Sequence, residues 1–269
     1  MSSESIGARL GRWLAAHNIG RKPRTVHFNR EIVQTLERNW LDRDRLAAAV
    51  SADETLALAQ QLAHYSPSRW NAMVSAIRTV TPHGRLLRRR PLRLRQFTPP
   101  TQLQFAAFLA ECDAAPRTQA GLVVRFLSFS GLRIGEARAL TWSSVFPDRI
   151  EVPGGIAKSG VMRSVPLVAG MAEVLNRLRA LAGGVGLVLP RGDPRRAIRT
   201  ASQRAGLPRL TAHCFRHLFA TRCIESGVDM PTVARWLGHR DGGALLARTY
   251  FHLLDEHSRE MASRVRIAA

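Results

Sequence analysis

Short amphipathic stretches alternate with polar breaks along this chain, and the apolar positions recur at helical spacing almost throughout. Ile6, Leu10, Trp13 and Leu14 fall on one helical face, the signature of an amphipathic helix. Asn29 stands before Ile32, Val33 and Leu36, and Ser51 with Glu54 makes a capping box ahead of Leu56, Leu58 and Leu62. A further stretch opens at Ser66, with Pro67 in its first turn and Trp70, Met73, Val74 and Ile77 on one side. Together these predict a small all-α domain over residues 1–84.

The pattern then breaks. Residues 85–95 read RLLRRRPLRLR, six arginines and no acid around one proline, followed by QFTPP; the stretch 85–98 is expected to be a basic interdomain linker. From residue 99 to 269 the period is again mostly helical. Leu103, Phe105, Ala106, Phe108 and Leu109 make one helix, and residues 122–129 another, both expected in the core. A β patch interrupts them: Arg149–Val152, Ile156–Lys158 and Arg163–Leu167, with Gly154-Gly155 and Ser159-Gly160 as turn signals, predict a three-stranded antiparallel sheet. Helices are expected again at Met171–Leu181, Pro194–Ala205, Ala212–Ser226 and Met230–Leu237, in the segment leading to Tyr250, and near Asp255–Val265. The fold class is therefore mainly α: a small helical domain, then an α-rich domain carrying a small sheet.

Charge adds a partner to this outline. The 269 residues carry 40 Lys+Arg against 20 Asp+Glu, a formal net charge of +20. Residues 1–98 hold 17 basic and 7 acidic residues and 99–269 hold 23 and 13, so each part carries +10. An excess of this size on two folding domains implies a polyanion, for which nucleic acid is the first expectation. Arg85, Arg88, Arg89, Arg90, Arg93 and Arg95 are the candidate backbone-phosphate contacts of the connector. No membrane partner is expected, since no run of about 18 apolar residues is present. The three cysteines form no CxxC, which fits a reduced, intracellular, metal-free protein; the expected location is the cytoplasm, in association with the nucleoid. Arginine supplies 38 of the 40 basic residues; Lys22 and Lys158 are the lysines. Base-composition bias accounts for much of that ratio, though not for the sign of the charge.

Three segments place polar residues inside apolar surroundings: SGLRIGEARALTW (Ser130–Trp142), TAHCFRHLFATRCIESGVD (Thr211–Asp229) and VARWLGHRDGGALLARTYFH (Val233–His252). Taken singly, each histidine in them reads equally as a surface or core group, Glu136 as a surface carboxylate, and Lys158 as a hairpin lysine. His213 and His217 stand at i, i+4, a spacing also used for zinc, but Arg216 lies between them and no third ligand is evident. The clustered carboxylates of a metal-dependent nuclease are missing from the pattern.

Read in order, GLRIGEARAL, Lys158 ahead of RSVPL, HCFRHLFATR with GVDM, LGH and TYFH resemble the motifs of the tyrosine recombinase (phage integrase) family over roughly residues 99–265. The helical first domain looks like that family's core-binding domain. The resemblance implies Arg133, Lys158, His213, Arg216, His239 and Tyr250 as catalytic residues, with Glu136 bracing Arg133. The interval from His239 to Tyr250 is two residues longer than the family's commonest spacing, through Asp241-Gly242-Gly243.

The chemistry of those residue types agrees with the implied roles. Attack on a phosphodiester builds charge on the non-bridging oxygens, which planar guanidinium groups neutralise well. Tyr250 would be the nucleophile; a phenol is about one part in a thousand ionised at neutral pH, an activation cost of about 4 kcal/mol that neighbouring cations can offset. Lys158 would protonate the leaving 5′-hydroxyl, a task for which arginine holds its proton too tightly. No cofactor or metal is expected. The expected partners are double-stranded DNA recombination sites and further copies of the chain, forming a tetramer on paired sites, with an accessory DNA-bending protein as an option. Type IB topoisomerase-like relaxation, or a catalytically silent DNA-binding protein of this fold, are the alternative readings.

Overall fold

A computed structural model describes residues 4–40, 42–92, 97–115, 119–239 and 244. The chain divides into two compact units, Met1–Arg95 and Gln96–Ala269, each with its own apolar core.

In the first unit, helices α1 (Ile6–Asn18), α2 (Pro23–Asn39), α3 (Ala52–Gln61) and α4 (Pro67–Val80) follow in order, with short 3₁₀ helices at Ala47–Ala49 and Leu62–His64 between them. Ser5 caps α1 by accepting from the amide of Ala8 at 3.2 Å, and the Ser51–Glu54 capping box opens α3. Helices α1, α2 and α4 pack on one another, burying Leu10, Ile32, Leu36, Met73 and Ile77 completely. Each such side chain contributes about 1.5–3 kcal/mol relative to an exposed one. Asn29 does not mark the start of α2. It lies inside that helix and is buried because its amide donates to His17 O at 3.1 Å and Asn18 Oδ1 at 2.9 Å, closing the end of α1.

Residues 85–92, read from sequence as the start of a connector, belong to the first unit. Leu87 is buried in its core. Trp70 Nε1 donates to Arg88 O at 2.9 Å, Arg78 Nη2 to Leu87 O at 2.8 Å, and Asn71 exchanges two hydrogen bonds with the backbone of Arg90. Here the apolar and aromatic groups beside the arginines outweigh the charge pattern. Arg93 and Arg95 lie outside the described residues.

The second unit is built on α6 (Ala120–Ser130), whose sequence AGLVVRFLSFS is buried on most sides. Helices α5 (Gln102–Asp113), α8 (Met171–Ala182) and α10 (Ala212–Glu225) pack around it, and α9 (Arg195–Arg204) lies on α5. Helix α5 buries Phe108 and Cys112, while Leu103 is 82% exposed, so the core expected over its whole length reaches only its inner stripe. Short helix α7 (Ile134–Ala139) follows α6, and α11 (Met230–Leu237) packs on both α10 and the sheet.

The sheet has two strands among the described residues, β1 (Arg149–Val152) and β2 (Arg163–Pro166), antiparallel with Ile150 opposite Val165. The third strand expected at Ile156–Lys158 does not form. Pro153 O accepts from the amides of Ile156 and Ala157, and Ala157 O from Gly160, so local turns consume the bonds a strand would need. A further bridge joins Val145 to Ile150 ahead of β1. The segments leading to Tyr250 and over Asp255–Val265 lie outside the described residues.

Candidate active site

Two glycines set the geometry. Gly131 ends α6 in the left-handed conformation (φ 61°), and a Cβ there would stand 2.4 Å from Phe219 Cδ1 and 2.8 Å from Leu237 Cδ2. Only glycine lets α6 turn so tightly against α10 and α11. Its turn delivers Arg133 to the N-cap of α7, where the Arg133 amide donates to Glu136 Oε2 at 3.0 Å. Gly238 (φ 68°) ends α11 in the same conformation, and its ideal Cβ would lie 3.0 Å from Arg163 Cδ.

Arg133 and Arg216 converge on one acceptor. Arg216, 4% exposed on α10, donates from Nη1 to Gly131 O at 2.8 Å and from Nη2 to Leu237 O at 2.7 Å. Arg133 Nη1 reaches the same Leu237 O at 3.4 Å and Glu136 Oε1 at 3.2 Å. Guanidinium groups at the carboxyl end of a helix are favoured by its partial negative charge as well as by the hydrogen bonds.

Glu136 is 2% exposed, which removes its reading as a surface carboxylate. Burial alone would raise its carboxyl, but the hydrogen bonds from Arg163, the Arg133 amide and the two guanidinium charges hold it below the ordinary carboxylate range. Arg163 was not singled out from sequence. It pairs with Glu136 through Nη2–Oε2 at 2.7 Å and Nη1–Oε1 at 3.2 Å, with Nε on Trp236 O at 2.8 Å. It sits within the RSVPL motif, but one arginine among 38 gives no signal of its own.

His213 and His217 lie one turn apart on α10, their rings edge to face at 4.5 Å between centroids. Although His213 is exposed at the start of its helix, burial of its surroundings and then the charges of Arg216 and Arg133 push its pKa down. Burial, with His213, Arg216 and His239 behind it, takes His217 down to about 4. Both rings are therefore neutral near pH 7. His239 follows Gly238 directly, its amide bonded to Ala234 O at 2.9 Å. The site thus gathers Arg133, Glu136, Arg216, His213 and His239 around the end of α11.

Lys158 is exposed in the turn between β1 and β2. Tyr250 lies outside the described residues. Among the described residues no group of three or more His, Cys, Asp or Glu could hold a metal ion, and no helix is long and apolar enough to cross a membrane. Burial pushes the Cys112 and Cys223 thiols up to about 12, which makes them poor nucleophiles.

Of the arginines assigned to phosphate contact, Arg85, Arg88 and Arg89 are exposed. Arg90 is half-buried and also serves its own unit. Its guanidinium lies 4.2 Å from the Trp70 ring centroid and donates to Ala63 O at 2.8 Å and Tyr65 O at 3.0 Å. A flat cation stacks on an indole and fills the backbone acceptors beside it, so this side chain also helps to hold its own unit together.

Residues 101–257 match the Phage integrase family. Over 156 residues, covering 57% of this chain and 44% of the relative, the sequence is 31% identical to a putative integrase of Pseudomonas phage Pf1. It is 30% identical over 159 residues to tyrosine recombinase XerC of Rhizobium meliloti, covering 54% and 48% of the two chains. The chain thus spans about half the length of these relatives. In fold it resembles a lambda integrase dimer bound to a COC′ core site, with a TM-score of 0.76 at 19% identity over 93% of this chain and 77% of that one. A lambda integrase tetramer bound to a Holliday junction aligns with a TM-score of 0.75 at 18% identity, over 90% and 79%.

Proposed function

The chain belongs to the phage integrase family, the tyrosine recombinases, and from that membership we propose that it cuts and rejoins duplex DNA at specific sites through a 3′-phosphotyrosyl intermediate. The observation that carries this reading is the convergence of Arg133 and Arg216 on Leu237 O, two residues before His239. Backbone carbonyls hold both guanidinium groups at one helix end, and fixed planar cations of this kind suit a phosphate. Two fixed cations meeting one phosphodiester stabilise the pentavalent state as charge builds on its oxygens, and loss of one such donor costs about 3–4 kcal/mol in the barrier.

In this reaction Tyr250 Oη attacks the phosphorus, the phosphotyrosine forms on the 3′ side, and the bond to the 5′-oxygen breaks. His213 is held neutral by its surroundings, so it can donate a hydrogen bond to the phosphate or take up the phenolic proton. His239 supports the same oxygens. Lys158 gives its proton to the departing 5′-oxygen, delivered by the turn that carries it. The phosphotyrosyl linkage conserves the bond energy, so a 5′-hydroxyl from a partner strand reverses the reaction without ATP, and the charge neutralisation comes from side chains. Exchange between two sites needs four protomers, in keeping with the tetrameric lambda integrase of similar fold. The first unit and the exposed Arg85, Arg88 and Arg89 bind the duplex backbone.

Tyr250→Phe tests the proposal. The variant is expected to bind duplex DNA as the parent does and to form no covalent adduct on nicked DNA from around its own gene. An adduct formed by the variant would mean that another residue is the nucleophile.

A further inference from the structure

The last turn of α11 is a complete hydrogen-bond account. Ala234 O accepts from the His239 amide at 2.9 Å and Arg235 O from the Gly238 amide at 3.0 Å, which satisfies two carbonyls that a helix end would leave open. The remaining two accept from side chains. Trp236 O takes Arg163 Nε at 2.8 Å, and Leu237 O takes Arg216 Nη2 at 2.7 Å and Arg133 Nη1 at 3.4 Å. Arg163 is thus the member of this group that ties β2 to the helix end carrying His239.

Its other contacts divide the carboxylate unequally. Both terminal nitrogens of Arg163 lie on Glu136, the shorter contact at 2.7 Å, whereas Arg133 reaches the same carboxylate through a single side-chain contact of 3.2 Å. The exposures of the side chains follow the same order: 5% for Arg163, 2% for Glu136 and 29% for Arg133. Without Arg163, the strongest nearby donor to a buried carboxylate would be the whole Arg133 fork, drawn inward and away from solvent.

We infer that Arg163 is a positioning residue: by saturating Glu136 and fixing the end of α11, it keeps the Arg133 guanidinium turned outward for phosphate and sets the height of His239. This rests on the strand-cleavage reading above. Gly238 belongs to the same device, because a side chain there would meet the Arg163 stem at 3.0–3.1 Å.

The experiment begins with the unaltered chain, used to capture its own substrate covalently from nicked DNA around its gene; the captured duplex then serves for Arg163→Gln and Arg163→Lys. Single-turnover cleavage reports a rate constant, an amplitude and a half-saturating protein concentration. A misplaced guanidinium slows every molecule, so the rate constant at saturation should fall by about 10²-fold in both variants. Amplitude and half-saturation should stay within about threefold of the parent. Lysine is expected to fail as glutamine does, since a single ammonium cannot bridge Trp236 O and both carboxylate oxygens. A normal rate constant in either variant overturns the inference. So does a loss of amplitude alone, or failure of both variants to fold, because each would make Arg163 a strut of the core. If the unaltered chain captures nothing, the cleavage reading itself falls and takes this inference with it.

Discussion

At the residue scale, the site depends on burial as much as on residue type. The arginines, histidines and Glu136 were legible because their motifs stand in order along the chain, yet the sequence could not tell a buried carboxylate from a surface one, nor separate Arg163 from 37 other arginines. Arg90 shows what a run of like charges hides: one member also stacks on Trp70 and bonds two carbonyls of its own unit. His217 offers a test of burial through pH. Its pKa is lowered from an ordinary 6.5 to about 4, so between those values the unfolded chain binds more protons than the folded one. Stability therefore rises with pH through this window and is lost as pH falls from 6.5 toward 4, by at most about 1.4 kcal/mol per unit for this ring. Urea unfolding at pH 7 and pH 4.5 should show a larger loss in the parent than in His217→Gln. Equal losses would place the titration elsewhere.

At the element scale, helix type and position could be read from periodicity and caps, as α3 and α11 show, because those signals are local. Two strands could be read as well, at Arg149–Val152 and Arg163–Pro166, but the third could not. Gly154-Gly155 and Ser159-Gly160 mark turns truthfully, but whether the residues between them pair as a strand is decided by backbone acceptors elsewhere, and Pro153 O takes the amides first. The junction of α6 and α7 is where an element depends most on one residue. Gly131→Ala combines a positive φ with a Cβ 2.4 Å from Phe219, so it should destabilise the second unit by about 2–4 kcal/mol, the sum of backbone strain and overpacking. A drop of the urea midpoint with little change in slope would show this; an unchanged midpoint would mean that the packing of α6 on α10 yields more readily than its geometry indicates.

At the scale of the whole molecule, the net charge of +20 is shared equally by the segments 1–98 and 99–269. Binding to a duplex should accordingly weaken steeply with salt, log K falling against log salt with a slope of about −0.9 per phosphate neutralised. Fluorescence anisotropy between low and physiological salt measures it, and a flat response would mean that phosphate neutralisation does not drive binding. The division into two units was visible in the change of pattern near residue 85, but its position was not: Leu87 and the backbone of Arg88 and Arg90 are held by Arg78, Trp70 and Asn71, contacts that no local rule anticipates. The end of α11 carries a consequence for change over generations. Its acceptors are main-chain carbonyls, and no replacement of the side chains at 236 or 237 can delete a carbonyl. Point substitution can therefore reach this half of the arrangement only by moving the backbone, through a proline or the loss of Gly238. The anchorage of three arginines is thus indifferent to much of the drift that would erode a cluster built from side chains alone.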